Sequence, residues 1–181
     1  ATSVTIEVDA LFKRACWTSD LGYLVVDPEN LPRNFRRALE DTTADEIFFN
    51  SSILGPTCNV GTVPAGTQHF EVDVATGSTI VFFVLPNRTL ANYQANERRG
   101  QRPIFTLSKL NPGRFDQVLS FRSRVGRTAP GAGDSTVVTA GEHLLLAFED
   151  ISIASRRSDQ DFADLVISVR AGARVDATSQ V

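Results

Sequence analysis

Long apolar runs, methionine and lysine are scarce or absent in this sequence of 181 residues. The longest apolar run covers residues 80–85, whereas a helix that spans a bilayer needs about 20 apolar residues, so no membrane span is expected. The formal net charge is −3, and no aromatic residues alternate with the arginine clusters. Binding to nucleic acid is therefore not expected.

The absence of methionine bears on where the protein works. A newly translated chain begins with methionine, so Ala1 is interpreted as the product of a cleavage, and signal peptidases cut after small residues. We therefore expect a mature secreted protein that acts outside the cell or at its surface. A trimmed chain is the alternative.

Two cysteines, Cys16 and Cys58, fit an exported protein, because an even number of cysteines in such a chain suggests a disulfide. Closing this loop would stabilise the fold by roughly 4 kcal/mol in the loop-entropy description. Two buried free thiols are the alternative that the residues leave open.

Alternation of apolar and polar residues with a period of two dominates the chain, as in Val4, Ile6 and Val8. Further strands are predicted over residues 21–27, 46–49, 70–74, 79–85, 103–107, 117–121, 136–139, 143–148 and 165–169. The segments predicted as loops include residues 55–66, 87–102 and 122–134. The one predicted helix covers residues 32–40.

About ten short strands, separated by turn residues, and one short helix are typical of an all-β antiparallel sandwich or jelly roll. The strand at residues 79–85 is apolar almost throughout, which predicts a central strand that is buried on both faces. Because no internal repeat or linker is visible, we predict a single domain over residues 1–181, with a polar tail at 176–181.

Motifs for catalysis are missing from the sequence. There is no G-x-S-x-G turn, no H-E-x-x-H helix and no glycine-rich phosphate loop. No nucleophile or acid is placed by local spacing to use His69 or His143 as a base. We therefore assign no catalytic residue and expect no enzyme. A hydrolase is the least favoured alternative, since a pair of catalytic carboxylates would meet only in the fold.

Acidic residues are concentrated near the C-terminus, after one predicted strand and before the next. Five carboxylates fall within sixteen residues, and these are Glu149, Asp150, Asp159, Asp161 and Asp164. Like charges at close range need compensation, and Ca²⁺ provides it because it takes six to eight oxygen ligands in flexible geometry. The spacing is not that of an EF-hand. Pairing of the acids with Arg156 and Arg157 is the alternative.

Three segments of the chain resemble one known family. These are the Leu-Gly-Tyr strand at residues 21–27, the Gly-polar-apolar strand at 77–87, and the pair Phe148-Glu149-Asp150 and Asp159-x-Asp161-Phe162-x-Asp164. Together they resemble the secreted bacterial "domain of unknown function 4114" family over about residues 10–170. Two features depart from the family pattern: residues 155–158 replace a short glycine-rich loop, and Ala163 stands where asparagine is common.

The resemblance implies a β-sandwich found in exported proteins, often large surface or matrix proteins, and it implies calcium binding without a known reaction. The five acids are then the metal ligands of a structural calcium site. A bound ion would hold the last two strands together and raise stability by linkage.

The favoured function is a structural subunit of a filament or other assembly, whose partners are copies of the same chain. The strand with Val4, Ile6 and Val8 is a candidate donor that adds to the open sheet edge of a neighbour. Residues 1–10 are then a donor strand or N-terminal extension, and their removal should abolish assembly but leave the fold largely intact. Pairing of this strand within its own sheet is the alternative.

A second function is a monomeric, calcium-dependent adhesion module that binds surface glycans. Aromatic side chains that stack on sugars must be exposed, and Tyr93, in a segment predicted as a polar loop, is the best candidate.

Overall fold

The computed structural model describes residues 3–13, 19–26, 39, 47–50, 61–62, 69–95, 102–124, 127–130, 142–149, 162 and 164–172. The strands in these residues are β1 (Ser3–Lys13), β2 (Asp20–Val26), β3 (Ile47–Asn50), β4 (Gly61–Thr62), β5 (His69–Ala75), β6 (Thr79–Leu85), β7 (Ile104–Phe105), β8 (Val118–Arg124), β9 (Arg127–Pro130), β10 (Glu142–Phe148) and β11 (Leu165–Gly172). Helix α1 spans Leu90–Ala95, and two 3₁₀ turns cover Ser108–Leu110 and Pro112–Arg114.

Two antiparallel sheets contain these strands. The first sheet has the order β4-β1-β11-β10-β8-β9, and β5 also pairs with β1, on the side where β4 lies. The second sheet has the order β3-β2-β6-β7. Strand β1 is therefore an interior strand, which pairs with β5 along Ser3–Asp9 and with β11 along Thr5–Lys13.

The main core lies between the two sheets, because alternate residues of facing strands point toward each other. From the first sheet it takes Val8 and Ile167, and from the second it takes Leu21 and Val84, all of which are almost fully buried. The rings of Tyr23 and Phe70 also meet across the sheets, with centroids 5.0 Å apart. This packing is that of a β-sandwich.

The second sheet is buried on its other face as well. Val81, Phe83 and Leu85 of β6 point away from the first sheet and pack with Leu90 and Tyr93 of α1. Leu39, which has helical backbone and is fully buried, joins this second core. The predicted burial of residues 79–85 on both faces is thus confirmed.

The predicted all-β antiparallel sandwich is confirmed, and β6 begins and ends at the predicted residues. Three predicted loops contain regular structure instead. Helix α1 lies within 87–102, β4 within 55–66, and β9 within 122–134. These elements have two to six residues, which is too short for a hydrophobic period to be recognised in the sequence.

Several predictions fall on residues outside those described. These are the helix at 32–40 except Leu39, the strand at 136–139, the polar tail at 176–181, and the cysteines Cys16 and Cys58 with their predicted disulfide. They remain predictions.

Residues 1–10 are predicted as a donor strand or N-terminal extension, but the described part, residues 3–10, pairs within its own sheet, which is the alternative. Ile6, Val8 and Ala10 are buried in the main core, and β1 is hydrogen-bonded to neighbours on both sides within its own chain. Removal of residues 1–10 would expose the facing edges of β5 and β11, so the truncated chain is not expected to keep its fold.

Candidate functional site

Three strand ends meet where the acidic segment begins and ends. Phe148, the last residue of β10, pairs with Val118 of β8 on one side and with Leu165 of β11 on the other. Glu149 directly follows Phe148, and Asp164 directly precedes Leu165. The two acids therefore lie one position beyond the last residue pair of β10 and β11, on neighbouring strands.

Gln117 fixes the backbone of Glu149 from the β8 side. The Glu149 N–H donates to the Gln117 carbonyl oxygen at 3.0 Å, and the Gln117 side-chain Nε2 donates to the Glu149 carbonyl oxygen at 3.3 Å. Both residues are 1% exposed. Burial of a carboxylate is costly unless hydrogen bonds or a cation compensate its charge. The groups next to the Glu149 carboxylate are therefore expected to be hydrogen-bond donors or a cation.

The Glu149 carboxylate is also bonded to the far end of the acidic segment. The Phe162 N–H donates to Glu149 Oε2 at 3.4 Å, which is long for such a bond. Phe162 has φ of 51°, in the left-handed region that a bulky side chain rarely adopts. Such a conformation costs about 1–2 kcal/mol, so the surroundings of Phe162 must hold it in place.

Of the five predicted calcium ligands, the structure brings together Glu149 and Asp164. Asp150, Asp159 and Asp161 lie outside the described residues, so their predicted role is untested. Within the described part of the chain, no three His, Cys, Asp or Glu side chains are grouped closely enough to hold a metal. The two placed acids offer hard oxygen atoms, the donor type that Ca²⁺ prefers, so the donor chemistry at these strand ends fits the ion.

A second polar cluster lies on the outer face of the first sheet. His69 Nδ1 lies 2.8 Å from Asp9 Oδ1 on β1, and His69 Nε2 lies 3.1 Å from Glu71 Oε1 on β5. Arg170 of β11 donates from Nη2 to the other Asp9 oxygen at 2.9 Å. The hydrogen bonds to Asp9 and then to Glu71 raise the pKa of His69. The cluster thus favours a charged imidazolium ring that joins β5 to β1.

The prediction that Tyr93 is an exposed aromatic residue is wrong. Tyr93 lies on α1, three residues after Leu90, and is 4% exposed because it packs onto the second sheet. Thr89 begins this helix, since its Oγ1 accepts a bond from the Asn92 N–H at 3.2 Å. A side chain buried in this way cannot stack on a sugar.

Val4, Ile6 and Val8, the predicted assembly strand, lie on the core-facing side of β1. The strand already has partners on both sides within the chain, so it is not a free donor. Donation to a neighbouring copy requires that β1 leave its own sheet and insert between β5 and β11 of that copy.

Gln117 and Phe162 were not predicted as site residues. Gln117 was predicted only as the start of a strand, and nothing in a lone sequence distinguishes a glutamine that clamps a neighbouring strand end. Phe162 belongs to the acidic motif in the sequence, but it contacts Glu149 through its backbone N–H and not through its ring.

One protein family has a sequence pattern that matches residues 74–172, which is more than half of the chain, and its description is Domain of unknown function (DUF4114). The chain belongs to this family. The DUF4114 match contains β6 to β11 together with the acidic segment between β10 and β11. It does not reach the Leu-Gly-Tyr strand at residues 21–27, so that part of the resemblance lies outside the matched region.

No curated protein and no solved structure matches the chain significantly. In the described part of the chain, no helix has the length and hydropathy that crossing a bilayer would need.

Proposed function

We propose that this protein is a secreted structural protein, a β-sandwich with a structural calcium site that assembles with copies of itself outside the cell. The observation that carries the calcium proposal is the burial of Glu149, which lies one position beyond the end of β10, next to the start of β11, which Asp164 directly precedes. When bound, calcium would neutralise these carboxylates and join the end of β10 to the start of β11. All five acids are expected ligands from the sequence; Glu149 and Asp164 lie in the described residues, and Asp150, Asp159 and Asp161 lie outside them.

Thermal unfolding in calcium and in chelator tests this site. A ligand that binds only the folded state at 100 times its Kd adds about 2.7 kcal/mol to the free energy of unfolding. For a chain of this size, that corresponds to a rise in Tm of roughly 5–10 °C. We expect a rise of this order for the unaltered chain in calcium.

Variants identify the ligands. Asp161→Ala should lower Tm in calcium and leave Tm unchanged in chelator, since this residue would act through the ion. Asp73→Ala is the matched control, because it removes an exposed carboxylate on β5 of the same sheet and should keep the full calcium effect. An equal loss of Tm in chelator for Asp161→Ala would show that the acids act through arginine pairing instead.

For assembly, we propose that β1 is exchanged between copies, so that each sandwich is completed by the first strand of a neighbour. The exchanged strand would keep the register seen within one chain, in which Glu7 pairs with Arg170 of β11 and Glu71 of β5. Exchange therefore creates an assembly without new strand pairings, which is the basis of strand addition and domain swapping.

A pair of introduced cysteines distinguishes exchange from other contacts. In the Glu7→Cys, Arg170→Cys variant, exchanged strands would give a ladder of covalent oligomers on a non-reducing gel. The single variant Glu7→Cys is the control for random cross-linking. Filaments in which the double variant forms only a link within each chain would refute exchange of β1.

Electron microscopy of the purified chain in calcium tests the assembly itself. Ordered filaments or sheets are expected. A uniform field of single particles would favour the alternative of a monomeric, calcium-dependent adhesion module, whose glycan contacts would have to come from residues other than the buried Tyr93.

A further inference from the structure

Arg88 lies in the turn between β6 and α1, and its backbone is fixed by both neighbouring strands of the second sheet. Its N–H donates to the Leu85 carbonyl oxygen at 3.2 Å, and its carbonyl oxygen accepts a bond from the Asp20 N–H at 3.0 Å. Asn87, just before it, has φ of 56°, which asparagine tolerates better than most residues. The position of Arg88 is therefore set by the fold.

The side chain of Arg88 is buried as well. The residue is only 8% exposed, and its terminal nitrogens Nη1 and Nη2 are buried without a hydrogen-bond partner. These two nitrogens carry most of the guanidinium donors, and arginine keeps its charge under all ordinary conditions. Native proteins rarely leave buried donors unpaired, and a buried charge without a counter-ion is among the costliest arrangements. The missing partner is expected to be an anion.

Asp20, whose N–H is bonded to the Arg88 carbonyl oxygen, is not the counter-ion of the Arg88 side chain. Its Oδ2 accepts a bond from the Leu90 N–H at 2.6 Å, and its Oδ1 is also buried without a partner. Burial raises the pKa of Asp20, which weakens it as a counter-ion. Asp20 also occupies the first N–H of α1, so that group is not available to a ligand.

We propose that Arg88 is the anchor of an oxyanion-binding site at the β6–α1 turn, which holds a small ligand through a carboxylate, phosphate or sulfate group on Nη1 and Nη2. The planar guanidinium group presents two parallel donors that match two oxygens of such a group. Because both nitrogens are buried, the ligand is small and loses its water on binding.

Thermal unfolding in sodium acetate, phosphate and sulfate, each compared with sodium chloride at equal ionic strength, tests the site. At least one anion should raise the Tm of the unaltered chain in a saturable manner. Acetate alone indicates a planar carboxylate ligand, and phosphate or sulfate indicates a tetrahedral one. Arg88→Lys keeps the charge but not the paired donors. It should therefore raise at least tenfold the anion concentration that gives half of the maximal rise in Tm. Arg170→Lys, on an exposed arginine, should keep the effect and control for general salt stabilisation.

Two further measurements extend the test, and the first of them needs no Arg88 variant. Crystals of the unaltered chain grown in selenate should show anomalous density within hydrogen-bond distance of Nη1 and Nη2, unless only acetate raised Tm. A double-mutant cycle with Asp20→Asn and Arg88→Gln should show weak coupling in chloride. The proposal is overturned by strong coupling in that cycle, by equal Tm in all four salts, or by an anion effect that survives in Arg88→Lys.

Discussion

Replacement of His69 by glutamine should remove a part of the stability that depends on pH. Both ring nitrogens of His69 face carboxylates, Asp9 on β1 and Glu71 on β5, and these hydrogen bonds raise its pKa in the folded state. The charged ring is thus favoured by folding. Its contribution is complete below the ordinary histidine pKa of about 6.5 and is lost as the pH rises through the higher pKa of the folded state.

The size of this contribution follows from exposure. The His69 and Glu71 side chains are 37% and 59% exposed, whereas Asp9 is 16% exposed. Water and salt screen such pairs, and exposed ion pairs contribute roughly 0.2–1 kcal/mol each. We therefore expect about 1 kcal/mol for the two pairs together at low salt. This corresponds to about 2–4 °C in Tm for a chain of this length.

Urea unfolding at several pH values between 5 and 9 measures the effect, since urea adds no ions. The unaltered chain should exceed His69→Gln in free energy of unfolding by about 1 kcal/mol at pH 5 and by little at pH 9. The gap should shrink in 0.5 M salt. His143→Gln is the matched control, because the chain has two histidines and His143 lies on β10.

Nuclear magnetic resonance of the two histidine rings checks the cause directly. The His69 ring should titrate above the ordinary histidine value. A stability gap that does not change between pH 5 and 9, or a His69 ring that titrates at or below the ordinary value, would refute the reasoning.

Two further predictions concern stability measured by urea unfolding. Phe148→Ala should cost about 3–5 kcal/mol, because the fully buried ring leaves a cavity, whereas Leu119→Ala, at a half-exposed position of the same sheet, should cost under about 1 kcal/mol; equal losses would contradict the assigned core. Asn111→Ala should cost about 2–4 kcal/mol, since the buried amide accepts from the Phe105 N–H at 2.8 Å and donates to the carbonyl oxygens of Phe105 and Phe115. A loss below about 1 kcal/mol would show that water replaces these bonds.

The second sheet shows what the sequence could predict. In β6 an almost continuous apolar run of seven residues indicates burial on both faces, and the structure places a core on each side. In β1 the alternation of Val4, Ile6 and Val8 predicts one buried face equally well. Periodicity reports burial directly, because a buried face must be apolar whatever covers it.

The same signal does not report which strands are neighbours. The pattern of β1 is identical for a strand within its own sheet and for one that is donated to another copy, since both bury the same face. Within one chain, the structure shows that β1 belongs to its own sheet, because it has partner strands along both of its edges. The prediction for Tyr93 is wrong for a related reason. The helix that buries Tyr93 has only six residues, which is too short for a helical period to be recognised in the sequence.

Buried polar residues were the least predictable part of the chain. The acidic segment could be singled out because five carboxylates stand close together in sequence. Asp20 and Arg88 are 68 positions apart, and only the pairing of β2 with β6 brings their backbones together. A single buried arginine has no sequence pattern of its own, so its surroundings had to come from the fold.

The two proposed sites are linked by a short stretch of the chain. Lys13, at the end of β1, pairs with Leu165, next to Asp164, and the chain reaches Asp20 seven residues later. Seven residues span at most about 25 Å, so the acidic strand ends and the Arg88 turn are joined by a short connection. Water and salt screen buried charges less than exposed ones, so buried charges act on each other over longer distances. A bound cation at Glu149 and a bound anion at Arg88 would favour each other, and linkage makes that effect reciprocal. If both proposals hold, the calcium affinity should therefore change with the anion that is present in the buffer.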